Sequence, residues 1–400
     1  MVGRRRPTTR AVSLMSGPPP FGDQLVTLAN WQDPPFNRWS FQHTRELIPT
    51  ARIASGPMAS DLPSVPADLG AVSFAYDGRE LAVDDMLDET YTDGFLVLHK
   101  GRIVYERYLN SMRPDTPHLL MSVSKSVVAT VAGVLVERGV LDVSAAVTAV
   151  VPHLAGTSFD GSTVQQLLDM RTGTKFDENY DNVESDARTY ERVYLWRPDD
   201  GRPRTTDALS YYPTLANDGE HGGPFRYRSI LTDVLGWVVE RAAGRRLHEL
   251  ISELVWAPMG AEYDAEITVD GHGNAMADGG MCATLRDLAR FGAQYLSDGL
   301  VGEAWRTDTA RGAADGANAF VTGERQAKWP KHAHYRNCWW VRQPDAPFLM
   351  ATGIYGQNIY VMPADDLVIA KFSTWPTPLS PTFEDLTLAG VDALAARLRS

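Results

Sequence analysis

Ser122-Val123-Ser124-Lys125 is the segment best equipped for covalent chemistry. On a helix, residues three apart share one face about one turn from each other, which brings an amine within reach of a hydroxyl. A serine hydroxyl is a weak nucleophile until a neighbouring base takes its proton, and a lysine can do this only as a neutral amine. Of the six lysines, Lys125 alone sits in an apolar helix, between Leu119-Leu120-Met121 and Val127-Val128. Burial there predicts a lowered pKa. A helix N-terminus beside Ser122 would add backbone donors for developing negative charge. The chemistry expected is attack of Ser122 on a carbonyl carbon.

Competing chemistries have little support. No Gly-x-Ser-x-Gly elbow, His-Glu-x-x-His helix or Gly-Lys phosphate loop occurs. His332-Ala-His334 has chelating spacing, but no acidic or cysteine cluster accompanies it, so a solvated loop and no metal site are expected. No organic cofactor is implied.

The elements that must position Ser122 are legible. Residues 94–109 form two apolar runs about Lys100-Gly101, a β-hairpin signal. Residues 119–138 are apolar almost all round and stop at Gly139, as a buried helix does. Helical patterns follow at 163–170, 231–243 and 284–296, and a last one at 383–398. Residues 180–223 are irregular, polar and aromatic, which suits a long loop over a site. Short β-type runs return at 338–341, 357–361 and 367–372. Early strands, a helical middle and late strands predict an α/β fold: one antiparallel sheet flanked by helices, with an inserted mainly helical lobe. The expected division is a flexible leader over 1–22, an α/β domain from 23–121 and 270–400, and a helical domain over 122–269. That helical domain carries the serine helix.

Bulk properties narrow the partners. A chain of 400 residues exceeds the size at which a single core stops growing. The net charge of −12 argues against nucleic-acid or anionic-membrane partners. The Arg-rich start lacks an apolar stretch long enough for export, no segment approaches the roughly 18 apolar residues of a membrane span, and Cys282 and Cys338 lie in different segments. A cytoplasmic location is expected, with a small-molecule amide or ester as substrate. A homodimer is left open.

Several ordered segments between Thr92 and Phe372 together resemble the serine β-lactamase and penicillin-binding-protein superfamily, in its class C-like branch of esterases, D-peptidases and amide hydrolases. They are the serine helix, residues 164–173, 225–236 and 279–291, and Ala351-Thr-Gly-Ile-Tyr-Gly356. The resemblance implies that Tyr227, in Tyr227-Arg-Ser229, relays the serine proton, although Ser229 stands where the family has asparagine. It implies an oxyanion hole from the backbone N–H groups of Ser122 and Ile354, the latter following Gly353. Ala351 replaces the lysine of the family's third motif, which weakens a β-lactamase or transpeptidase reading. The pattern is most similar to 6-aminohexanoate-dimer hydrolases, which cleave linear amides and short esters. By that resemblance Tyr180, after Asp177-Glu-Asn, orients an amide, and Glu191, five residues before Trp196-Arg197, receives a distant ammonium. Trp196, Asp278 and Trp339 complete the expected substrate contacts.

Overall fold

The computed structural model describes residues 14–201, 205–297, 299–323, 329–343 and 346–400. A seven-stranded antiparallel sheet is built from both ends of the chain. Its strands are β1 (Thr92–His99), β2 (Arg102–Tyr108), β3 (His334–Arg336), β4 (Trp339–Val341), β5 (Leu349–Gly353), β6 (Gln357–Met362) and β7 (Leu367–Ser373), in the order β2-β1-β7-β6-β5-β4-β3. The β1–β2 turn has Lys100 and Gly101 both in the left-handed region (φ 51° and 70°), which the hairpin twist requires. A single expected sheet is too simple. A four-stranded sheet (Thr50–Ile53, Ala265–Thr268, Met281–Ala283 and His118–Leu119) and a two-stranded ribbon (Ser73–Tyr76, Arg79–Ala82) accompany it.

Five helices matter for the site: α1 (Ser124–Glu137), α2 (Asp186–Val193), α3 (Ile230–Ala243), α4 (Leu285–Ala293) and α5 (Pro381–Arg399). Residues 124–135 of α1 are all buried, which matches its apolar circumference. α3 ends on Gly244 in a left-handed conformation (φ 68°), as the glycine stop predicts. Helix α2 falls inside the segment expected as loop. Ser185 caps it by accepting from the Arg188 amide, and its buried face is Ala187, Tyr190, Glu191 and Val193, a pattern too polar to stand out by hydropathy. Of the expected leader, residues 1–13 lie outside the described residues, and the Met15 amide donates to the Gln24 carbonyl. No helix among the described residues is long and apolar enough to cross a membrane.

Candidate active site

Ser122 does not lie on α1 itself. It occupies a 3-10 turn, Met121–Val123, that leads into the helix. The turn is tied on both sides: the Leu119 amide donates to the Phe41 carbonyl and the Leu120 amide to that of Met281, each at 2.8 Å. Met121, immediately before the serine, is held at φ 48°, a strained value for a non-glycine residue. Lys125 Nζ donates to Ser122 Oγ at 2.9 Å and to the Asp278 carbonyl at 2.7 Å. The neighbouring serines are engaged elsewhere, Ser126 donating to the Cys338 carbonyl and Ser124 accepting from the Met281 amide.

The charge state of Lys125 corrects the expectation of a neutral amine. Burial does work against its charge. The surrounding acids, Tyr227, Asp278, Glu178 and Asp233, outweigh that and hold the ammonium above the ordinary lysine range. Asp278 Oδ2 lies 3.8 Å from Nζ. Its own carboxyl is pushed up to about 6 by burial, against the pull of Lys125. Behind it Asp233 accepts from the Asp278 amide at 3.1 Å and is raised further, by burial and then by Asp278.

The ring of Tyr227 stacks on Trp340 (centroids 5.5 Å apart, planes at 17°), with Lys125 Nζ 5.3 Å from its centroid. The end of β5 closes on the serine turn. A Cβ at Gly353 would stand 2.8 Å from the Leu120 carbonyl oxygen and 3.0 Å from the Ser122 nitrogen. Only glycine permits that approach, and it sets the backbone of Ile354 beside that of Ser122.

Ser122 opens onto two cavities. An outer groove of about 310 Å³ is lined by Tyr227, Trp340, Thr352, Gly353, Asn358 and Trp375 and reaches the start of α5. An inner crevice of about 30 Å³ is bounded by Phe176, Tyr190, Glu191, Trp196, Met276 and Asp278. Glu178, Tyr180 and Ile354 border both.

The outer residues differ in what they touch. Tyr180 donates to Glu178 Oε1 at 2.6 Å. Trp196 packs edge-on against Trp31, whose indole N–H donates to the Trp196 carbonyl at 2.8 Å. Glu191, expected to receive an ammonium, is 5% exposed and already bound by Arg188 at 2.9 Å and Arg197 at 2.7 Å, with Gln32 at 3.2 Å. Trp339 is also corrected. It lies in the core against Phe291 and Tyr295, on the α4 side of the sheet, and strand alternation gives the groove to Trp340 instead. Of the His332-Ala-His334 pair, His334 is buried beside the Thr309 carbonyl at 3.2 Å.

The family model for β-lactamase matches residues 82–393. The chain belongs to the β-lactamase family. It is 38% identical over 359 residues to the 6-aminohexanoate-dimer hydrolase of Paenarthrobacter ureafaciens, covering 88% of this chain and 89% of that protein. Esterase EstB of Burkholderia gladioli is 30% identical over 223 residues, 48% of this chain and 54% of the esterase. A solved structure of a putative 6-aminohexanoate-dimer hydrolase from Bacillus anthracis superposes with a TM-score of 0.86 at 25% identity, over 94% of this chain and 98% of that one.

In this β-lactamase-family chain one important residue escaped the sequence reading. Glu178 accepts from the Ser229 amide at 2.9 Å, from the Ser229 hydroxyl and from Tyr180, so it joins the tyrosine motif to the loop before α2. Its only sequence signal was its place in the acidic patch before Tyr180. Arg188 and Gln32 were also missed; sequence distance hides only Gln32, which meets Glu191 from 159 residues away, whereas Arg188 is three residues from it.

Proposed function

We propose that this hydrolase of the serine β-lactamase and esterase superfamily cleaves short-chain carboxylic esters and linear amides through an acyl-enzyme on Ser122. The observation that carries the reading is the 2.9 Å contact from Lys125 to Ser122 Oγ at the mouth of two cavities, with Tyr227 in the larger one. A charged Lys125 cannot accept the serine proton. Tyr227, which lines the groove beside it, takes that proton as Ser122 Oγ bonds to the substrate carbonyl carbon. The backbone N–H groups of Ser122 and Ile354 receive the resulting oxyanion. Tyr227 then returns the proton to the leaving oxygen or nitrogen, and a water activated by the same tyrosine releases the acid.

The names of the relatives, an amide hydrolase and an esterase, agree with this range of bonds. The test is a fluorophosphonate probe followed by peptide mapping, alongside assays on p-nitrophenyl acetate and a linear amide. A covalent adduct on Ser122 and turnover of the acetate are expected; an adduct on another residue would refute the assignment.

A further inference from the structure

The two cavities beside Ser122 have different sizes, walls and charge, and a substrate must divide between them. Tyr227 decides how. It lines the groove and, among the described residues, not the crevice. The atom it protonates on departure must therefore leave through the groove. The acyl carbon stays on Ser122, and its chain has the crevice to enter.

The crevice is small and most of its carboxylate oxygens are paired. About 30 Å³ holds two or three heavy atoms, against about 310 Å³ in the groove. Its apolar walls are Phe176, Tyr190, Trp196 and Met276, each at most 5% exposed and so well packed. Three carboxylates reach it, and all are engaged except at Asp278 Oδ1, which has no hydrogen-bond partner among the described residues. Glu191 is held by Arg188 and Arg197, Asp278 lies 3.8 Å from Lys125, and Glu178 accepts from Tyr180 and Ser229. A cationic chain end would arrive to find guanidinium groups already on Glu191.

We infer that the inner crevice is the acyl site, that it selects a short, uncharged acyl group of about two to four carbons, and that the outer groove takes a leaving group of almost any length. The inference rests on the acyl-enzyme reading above. In the step it concerns, the Ser122 Oγ–acyl carbon bond forms and the bond from that carbon to the leaving oxygen breaks. The serine proton passes through Tyr227 to that oxygen, and water later takes the acyl group as the free acid. An ω-aminoacyl chain is disfavoured by both length and charge.

The test varies each half separately. With p-nitrophenol fixed as leaving group, kcat/KM should fall by about tenfold or more from butyrate to octanoate, and a 6-aminohexanoyl ester should be no better than the hexanoyl ester. With acetate fixed as the acyl group, lengthening the alcohol from ethyl to octyl should change kcat/KM by less than about fivefold. Met276→Ala should raise the ratio of hexanoate to acetate turnover. Arg188→Gln, which frees one side of Glu191, should raise the ratio of 6-aminohexanoyl to hexanoyl ester. Octanoate turned over as well as acetate by the wild-type enzyme, or a 6-aminohexanoyl ester preferred to the hexanoyl one, would overturn the inference while leaving Ser122 as the nucleophile. No turnover of any ester, with no adduct on Ser122, would overturn both.

Discussion

Gly353 brings the end of β5 so close to Ser122 that a single added methyl group would lie 3.0 Å from the serine nitrogen. Gly353→Ala should therefore act on catalysis more than on folding. The strand end has to retreat, carrying Ile354 away from the serine turn. Loss of one oxyanion donor lowers kcat by about a hundredfold, whereas overpacking of this kind costs about 1–3 kcal/mol of stability. Parallel measurement of kcat and thermal midpoint separates the two. Near-normal kcat would remove Ile354 from the oxyanion hole.

Ser122→Ala should abolish turnover and probe labelling without unfolding the protein. The residue is half-buried, and one hydroxyl hydrogen bond is worth about 1 kcal/mol, so the thermal midpoint should move by roughly 2–4 °C or less. Undiminished labelling of the variant would show that another residue reacts.

Lys125→Ala and Tyr227→Phe should each reduce kcat by about a thousandfold, and the double variant should be little worse than either, because both act on one proton. They should differ in stability. Removing Lys125 leaves Asp278 without its cation, a loss of about 3–5 kcal/mol for a buried pair. Tyr227→Phe leaves that charge in place. Additive losses in kcat would argue against a shared proton.

Tyr180→Phe tests the amide side of the activity. The Tyr180 hydroxyl, held by Glu178, borders both cavities and can orient a departing nitrogen. An alkoxide leaves with less help than an amine. The variant should lose about tenfold more kcat/KM on a linear amide than on the ester with the same acyl group. Equal losses would reduce Tyr180 to packing.

Lys371 offers a prediction about stability and pH. It lies in β7, fully buried, donating to Ser373 Oγ, and burial lowers its pKa to about 7 despite Asp93. The folded state therefore sheds a proton that the unfolded chain keeps up to about 10.5. Where the unfolded state binds more protons, stability rises with pH, so this penalty is complete below about pH 7 and fades towards pH 10.5. Lys371→Met should be more stable than wild type by about 1–2 kcal/mol at pH 7. Denaturant titrations at pH 7 and pH 10 should show the difference shrinking; a difference that grows with pH would contradict it.

The sequence by itself pointed to the serine and its lysine and, through the family resemblance, to the tyrosine motif and the class of fold. The signals for the serine, the lysine and the elements around them are local: an i, i+3 pair at the head of an apolar helix, a hairpin turn, a glycine stop. Chain geometry over a few residues makes them readable. Tertiary structure decided everything that depends on distant segments meeting. The charge on Lys125 is upheld by Tyr227, Asp278, Glu178 and Asp233, which come from distant stretches of chain, and no pattern along the helix encodes their sum. Glu191 reads as an available acid in sequence. It is a neutralised one because Gln32, Arg188 and Arg197 converge on it from the N-terminal segment, α2 and the loop after α2. The choice between Trp339 and Trp340 turned on which face of β4 meets α4, and alternation along a strand fixes only that they differ. The two cavities at Ser122 are likewise defined by walls from the sheet, the helical lobe and the segment before α2. Close packing turns those walls into a specific volume only after the chain has folded.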